Sequence, residues 1–293
     1  AAIVRYLSKT EGVAKMYNFS IGVILDSFRT DLKTALDKAA AIGASGIQVY
    51  ATQGELSPEN LSAAKRREFL DMCRSRGLTI SALCGDLGQG FAHEDKNPAL
   101  IEQSKRVLEL AKDLETDVVT THIGVVPQDS GSRTYAVMQK ACAELAAFAD
   151  SLDAHFAIET GPEPAAVLKA FLDTLDSTGV AVNLDPANLV MVTGDDPVAA
   201  VHTLQKYIMH THAKDGRMLR RMNPVDIYDG TFDPAQGHPF LELPLGEGDV
   251  DFPAYLQALS AIGYTGFLTI EREVGENPAA DIALAVEFLN RYR

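Results

Sequence analysis

The sequence is poor in cysteine and in positive charge, and it has no long apolar run. Its three cysteines, Cys73, Cys84 and Cys142, are an odd number, widely spaced and without a CxxC pair. They read as small buried hydrophobes of a reduced, cytoplasmic protein, not as a disulfide framework. No stretch approaches the roughly 20 apolar residues that span a bilayer. The opening AAIVRYLSKTEGVAK lacks the apolar core of a secretory signal. Lys and Arg number 26 against 40 Asp and Glu, a formal charge of −14. That excess repels phosphate backbones and anionic lipid, so neither a nucleic acid nor a membrane is expected as a partner. It leaves open that some carboxylates hold a cation. Met16 directly precedes the first strand-like run, so residues 1–15 are expected to be a leader or extension and 16–293 the folded unit.

What is present is an alternation of short apolar runs with longer segments of helical period. The runs are FSIGVIL (19–25), GIQVY (46–50), LTISALC (78–84), DVVTTHIG (117–124), HFAIE (155–159), VAVNLD (180–185), IMHTH (208–212) and GFLTIE (266–271). Nearly continuous β-branched hydrophobicity suits strands covered on both faces. Ser57-Pro58 and Asp251-x-Pro253 read as helix starts, and Gly43, Gly77, Gly179 and Gly263 as helix stops. Eight strand–helix units suit either an open doubly wound sheet or a closed barrel. The first strand–helix turn, DSFRTD, has no glycine, so the expected fold is an α/β, single-domain (β/α)8 TIM barrel.

A barrel places its chemistry at the carboxyl ends of its strands. Glu159, Asp185, His212 and Glu271 end four consecutive runs. Adjacent strands lie roughly 4.8 Å apart, so such side chains can converge. Three carboxylates packed together without a cation would repel one another, and a divalent metal resolves the conflict. One imidazole with three carboxylates is a hard donor set, suited to Mn²⁺ first, with Mg²⁺, Co²⁺ or Zn²⁺ open. His210 and His212 lie two apart and share a side of their strand. His212, nearer the end, is assigned to the metal, leaving His210 deeper.

The motifs FAIETG (156–161), VNLDPAN (182–188), HTHAKD (210–215), PLGEGDVDF (244–252) and GFLTIERE (266–273) resemble the xylose isomerase-like barrel superfamily of sugar isomerases and epimerases. The resemblance implies metal ligation by Glu159, Asp185, His212 and Glu271. It also implies catalysis by Glu159 and Glu271, which would pass a proton through a metal-bound cis-enediolate of a small polyhydroxy substrate. Return to the opposite face of one carbon epimerises, and delivery to its neighbour isomerises. His122, Asn188, His210, Lys214, Asp215 and Arg217 form the expected substrate-binding set. Where several branches carry a His three residues after the Asp, this chain has Asn188. That argues for one metal and against the multi-zinc chemistry of the apurinic-site endonucleases. The pattern of a true xylose isomerase, with a second metal and a catalytic Lys, is also missing, so proton transfer is expected over hydride shift.

Residues 213–250 form the longest connection, expected to be a lid or substrate wall, with Arg217, Arg220 and Arg221 interrupting the acidic trend. Ser130–Arg133 opens the fourth helix, either as a phosphate site or as an ordinary cap. Glu163 reads as a charge favouring the fifth helix's dipole. Phe28, Tyr50 and Phe91 follow early strands, as pocket walls or packing. Barrels of this family often pair through their helices, which leaves a homo-oligomer open. Two further readings stand beside the isomerase or epimerase: a metal-dependent dehydratase of inosose or dehydroshikimate type, and a non-catalytic sugar-binding barrel.

Overall fold

The β-branched runs pair in parallel, and the pairing closes on itself. In a computed structural model, which describes residues 16–293, the strands are β1 (Ser20–Ile24), β2 (Gly46–Tyr50), β3 (Thr79–Cys84), β4 (Val118–Thr121), β5 (His155–Glu159), β6 (Val180–Leu184), β7 (Ile208–Ala213) and β10 (Phe267–Ile270). They form a closed barrel in the order β1-β10-β7-β6-β5-β4-β3-β2. The expected leader at 1–15 lies outside the described residues. Around the barrel run α1 (Leu32–Ala41), α2 (Ala63–Arg74), α3 (Asn97–Asp113), α4 (Arg133–Ser151), α5 (Ala165–Asp173), α7 (Pro197–Leu204), α9 (Phe252–Ala261) and α10 (Pro278–Asn290), with a short α6 (Pro186–Asn188) following β6. Among the described residues no helix is long and apolar enough to cross a membrane.

Strand alternation divides the interior in two. Residues such as Ile21, Ile47, Leu83, Phe156 and Leu268 are essentially inaccessible and pack in the core that includes the helices. Burial of one such side chain contributes about 1.5–3 kcal/mol. Intervening residues turn into the barrel, where Ala82, Val118, Ala157 and Ala181 form a separate small cluster. Small side chains there leave the upper barrel for polar groups.

Local chemistry starts the helices. The side chains of Asp31, Ser62, Ser132, Asp196, Asp251 and Asn277 each accept a backbone N–H of the first turn, each such cap worth about 1 kcal/mol. Ser57 is not among them. Its hydroxyl donates to the Gly54 carbonyl, closing a turn, and α2 starts six residues later at Ala63. Gly179 is likewise not a helix stop, since α5 ends at Asp173. It precedes β6 where a Cβ would lie 1.9 Å from the Ala146 carbonyl oxygen, so close approach to α4 excludes any side chain.

The connection after β7 has structure of its own. β8 (Asp215–Met218) and β9 (Phe240–Leu243) form an antiparallel hairpin, with α8 (Pro224–Tyr228) between them. Periodicity did not reveal the hairpin, because each strand is only four residues long.

Candidate metal centre and active site

Four residues from consecutive barrel strands meet at the carboxyl end. Glu159 is the last residue of β5, Asp185 follows β6, His212 lies in β7 and Glu271 follows β10. One ligand atom from each falls within 4.8 Å of all the others, and all four residues are buried. His212 Nδ1 is the hub, 3.2 Å from Asp185 Oδ2, 3.4 Å from Glu271 Oε2 and 3.7 Å from Glu159 Oε1. Asp185 reaches this point through one oxygen only. Its Oδ1 accepts the Asn188 N–H at 2.9 Å and caps α6, leaving Oδ2 for the cluster.

A second tier of inward-facing polar residues holds the first in place. Gln48 Nε2 donates to Thr120 Oγ1 at 2.9 Å, and Thr120 Oγ1 donates to the Leu83 carbonyl. That direction leaves Gln48 Oε1 as an acceptor, 2.9 Å from His212 Nε2. An Nε2–H of His212 therefore faces Gln48, and Nδ1 is the nitrogen directed at the carboxylates. Asn183 donates to Glu159 Oε2 at 3.2 Å and accepts from His210 Nδ1 at 2.8 Å. His210 Nε2 in turn faces the Ser81 and Thr269 hydroxyls. Burial and the charge of His212 hold His210 well below its usual pKa, so it stays neutral.

Above the cluster opens a pocket of about 280 Å³, bounded among others by Tyr50, Cys84, Asp86, His122, Asn188, Lys214, Tyr228, Phe240 and Glu273. His122 and Asn188, two of the expected substrate contacts, line it. His122 Nε2 stands 3.4 Å from Glu159 Oε1, and Asn188 Nδ2 donates to the same oxygen at 3.0 Å. Lys214, 3% exposed, lines the pocket and bridges Glu271 at 3.0 Å and Glu273 at 2.6 Å.

Three of the expected substrate contacts lie elsewhere. His210 is spent within the barrel. Asp215 accepts the backbone N–H groups of Gly216, Gly246, Gly248 and Val250, which makes it the anchor of the turn after β9. Arg217 lies on the outer part of the hairpin, held to Asp249 at 3.0 Å. Of the three aromatics, Tyr50 lines the pocket, while Phe28 and Phe91 pack in the core. At the fourth helix, Ser132 caps α4 and the exposed Arg133 pairs with Glu94. Glu163 lies outside α5 and holds the Val126 N–H at 2.9 Å. Gln48, Asn183, Asp86, Tyr228 and Glu273 were missed in the sequence. For Gln48 and Asn183 the signal was a polar residue two positions before the end of an apolar run, in GIQVY (46–50) and VAVNLD (180–185).

The electrostatics of the cluster call for a cation. Burial raises the Asp185 carboxyl, with Lys214 and His212 offsetting part of the effect. Burial acts the same way on Glu271, but the charges of Lys214 and His212 outweigh it and hold that carboxyl well below the usual range. Burial opposes charge on His212, yet the charges of Glu271 and Glu159 raise it far above the ordinary histidine value. In the metal-free protein a proton thus occupies the point on which three carboxylates converge. The donor chemistry fits a hard divalent ion there. The four ligand atoms, all within 4.8 Å of one another, are the residues that would hold it.

The model of the xylose isomerase-like TIM barrel family matches residues 36–292. Among curated proteins, the chain is 37% identical over 95 residues to the rhizopine catabolism protein MocC of Rhizobium meliloti, a match spanning 32% of this chain and 28% of that protein. It is 23% identical to SgbU of Escherichia coli K12, provisionally described as an L-ribulose-5-phosphate 3-epimerase, over 92% of this chain and 95% of SgbU. Among solved structures, a xylose isomerase domain protein from Planctomyces limnophilus superposes with a TM-score of 0.78 at 25% identity, covering 94% of this chain and 97% of that one. The probable 3-DHS dehydratase AsbF of Bacillus anthracis gives a TM-score of 0.71 at 20% identity, covering 93% and 99%, a likeness of fold.

Proposed function

Since the chain belongs to the xylose isomerase-like TIM barrel family, we propose that it is a divalent-metal-dependent sugar isomerase or epimerase in which Glu159 and Glu271 exchange a proton with the substrate. The observation that carries this reading is the convergence of Glu159, Asp185, His212 and Glu271 beneath a small polar pocket at the carboxyl end of the barrel. Those four residues would hold the ion, Mn²⁺ first among hard divalent cations. When bound, it supplies Lewis acidity at a carbonyl and fixes the substrate's orientation.

The chain's own residues prepare the proton transfer. Asn183 and Asn188 each donate to one oxygen of Glu159, and Lys214 donates to Glu271, which keeps both carboxylates ionised and ready to accept. Glu159 rises from β5 and Glu271 from beyond β10, with β6 and β7 between them in the barrel, so they approach the pocket from different sides. One carboxylate removes the proton beside the carbonyl, leaving an enediolate; that carboxyl then delivers the proton to the adjacent carbon, or the other carboxyl, having taken a proton from solvent, delivers it to the opposite face of the same carbon. His122 lines the pocket with its Nε2 3.4 Å from Glu159 Oε1, where the imidazole can hydrogen-bond a substrate hydroxyl beside that carboxylate. The relation to SgbU favours sugar chemistry over a pure binding role.

The test is a panel of ketoses, aldoses and inososes incubated in D₂O with Mn²⁺ and followed by NMR. Exchange at the carbon beside the carbonyl, lost in Glu159→Gln and Glu271→Gln, is the expected outcome. Loss of a hydroxyl with a new enone absorbance would make the chain a dehydratase. Failure of every compound to exchange, with metal bound, would leave it a binding barrel.

A further inference from the structure

We infer that the substrate is an uncharged polyhydroxy carbonyl compound and that its phosphate esters are refused, with Asp86 and Glu273 on the pocket wall as the residues that enforce the choice. The inference rests on the site reading given above and deepens it.

Five carboxylates stand at or just below the pocket: Asp86, Glu159, Asp185, Glu271 and Glu273. Even with a divalent ion in the cluster and with Lys214 and His122 both charged, the surroundings stay net negative. The one lysine of the pocket is not free to take an anion. Lys214 is nearly inaccessible and already bonded to two carboxylates, at 3.0 and 2.6 Å. A phosphomonoester brings about 1.5–2 negative charges at neutral pH and would have to strip Lys214 from Glu271, a group the chemistry needs ionised.

No arginine is among the residues lining the pocket. Arg29 donates to the Glu273 and Gly275 carbonyls at 2.8 and 3.0 Å, and Arg220 and Arg221 each donate through one Nη to the Gly237 and Thr193 carbonyls, while Arg220 Nε is buried without a partner among the described residues. Arg272 is buried between Glu242 and Asp281. Beyond Tyr50 the neighbouring cleft of about 440 Å³ carries Asp26 and Glu55 and, among its lining residues, no lysine or arginine. A substrate tail extending that way meets carboxylates. Asp86 is held toward the pocket by the Gly88 N–H, which donates to its Oδ1 at 2.8 Å, and is placed to accept hydroxyl protons.

The experiment pairs ketopentoses and ketohexoses with their terminal phosphate monoesters. Binding to Mn²⁺-loaded protein is measured by calorimetry and exchange in D₂O by NMR. The free sugars should bind and exchange with an advantage of about 100-fold over the esters, and Asp86→Asn should narrow that gap by about tenfold. Inorganic phosphate should not compete with the free sugar. Tighter binding or faster exchange of the esters would overturn the inference while leaving enediolate chemistry intact, as would failure of every free sugar to bind. Binding that prefers the free sugars without any exchange would support the inference and overturn the proposed reaction.

Discussion

Gln48 is the residue through which the barrel wall reaches the candidate metal centre. Its amide is fixed at one end by Thr120 and presents Oε1 to His212 Nε2 at 2.9 Å, so it determines which imidazole nitrogen is left for a ligand. Gln48→Leu is expected to weaken divalent-ion affinity by about 10–100-fold, read by calorimetry on chelator-stripped protein. Gln48→Glu, which keeps an acceptor facing Nε2, should retain most of the affinity, and unchanged binding in the Leu variant would refute the role. The four cluster residues were legible because each stands where an apolar run stops. Gln48 and Asn183 were harder to see, since a polar residue inside a strand is recognisable only once the inward face is known. Asp215 misled for a related reason. Next to His212 and Lys214 in sequence, it has both oxygens taken by backbone amides of a turn some thirty residues on.

At the scale of elements, the hairpin of β8 and β9 is the addition to the plain barrel that shapes the pocket, since Lys214, Tyr228 and Phe240 lie on or beside it. Two buried attachments hold it. Glu242 on β9 pairs with Arg272 at 2.8 Å and also accepts the Glu273 N–H. Glu242→Leu leaves the guanidinium with Asp281 alone and should cost about 3–5 kcal/mol in urea unfolding, with faster proteolytic cleavage between residues 219 and 239. The other attachment is the Asp215 cradle. A Cβ on Gly248 would lie 2.0 Å from Asp215 Oδ1 and 2.5 Å from the Gly216 nitrogen. Gly248→Ala should therefore destabilise by about 1–3 kcal/mol, measured in the same titration. A small effect would mean that the turn moves aside freely.

For the molecule as a whole, one buried carboxyl couples stability to pH away from the cluster of Glu159, Asp185, His212 and Glu271. Burial raises Glu163 to about 8 from 4.5, and the hydrogen bond from Val126 only partly offsets it. Between those values the folded chain keeps a proton that the unfolded chain has released. The group's contribution is thus fully present below pH 4.5 and is lost as pH rises toward 8, by at most about 1.4 kcal/mol per pH unit. Glu163→Gln should flatten that part of the stability profile, and identical slopes in the two proteins would refute the assignment. The amino-acid sequence by itself determined the eight strand–helix units, the barrel they close into and the four strand ends whose side chains converge. Those follow from periodicity and local capping, which act over a few residues. Only the tertiary structure decided which polar groups turn inward, that the long connection folds as a hairpin beside the pocket, and that Lys214 is bonded to Glu271 and Glu273. Each of these depends on a contact between segments far apart in the chain, as when Gln48 meets His212, and no local pattern encodes such a partner.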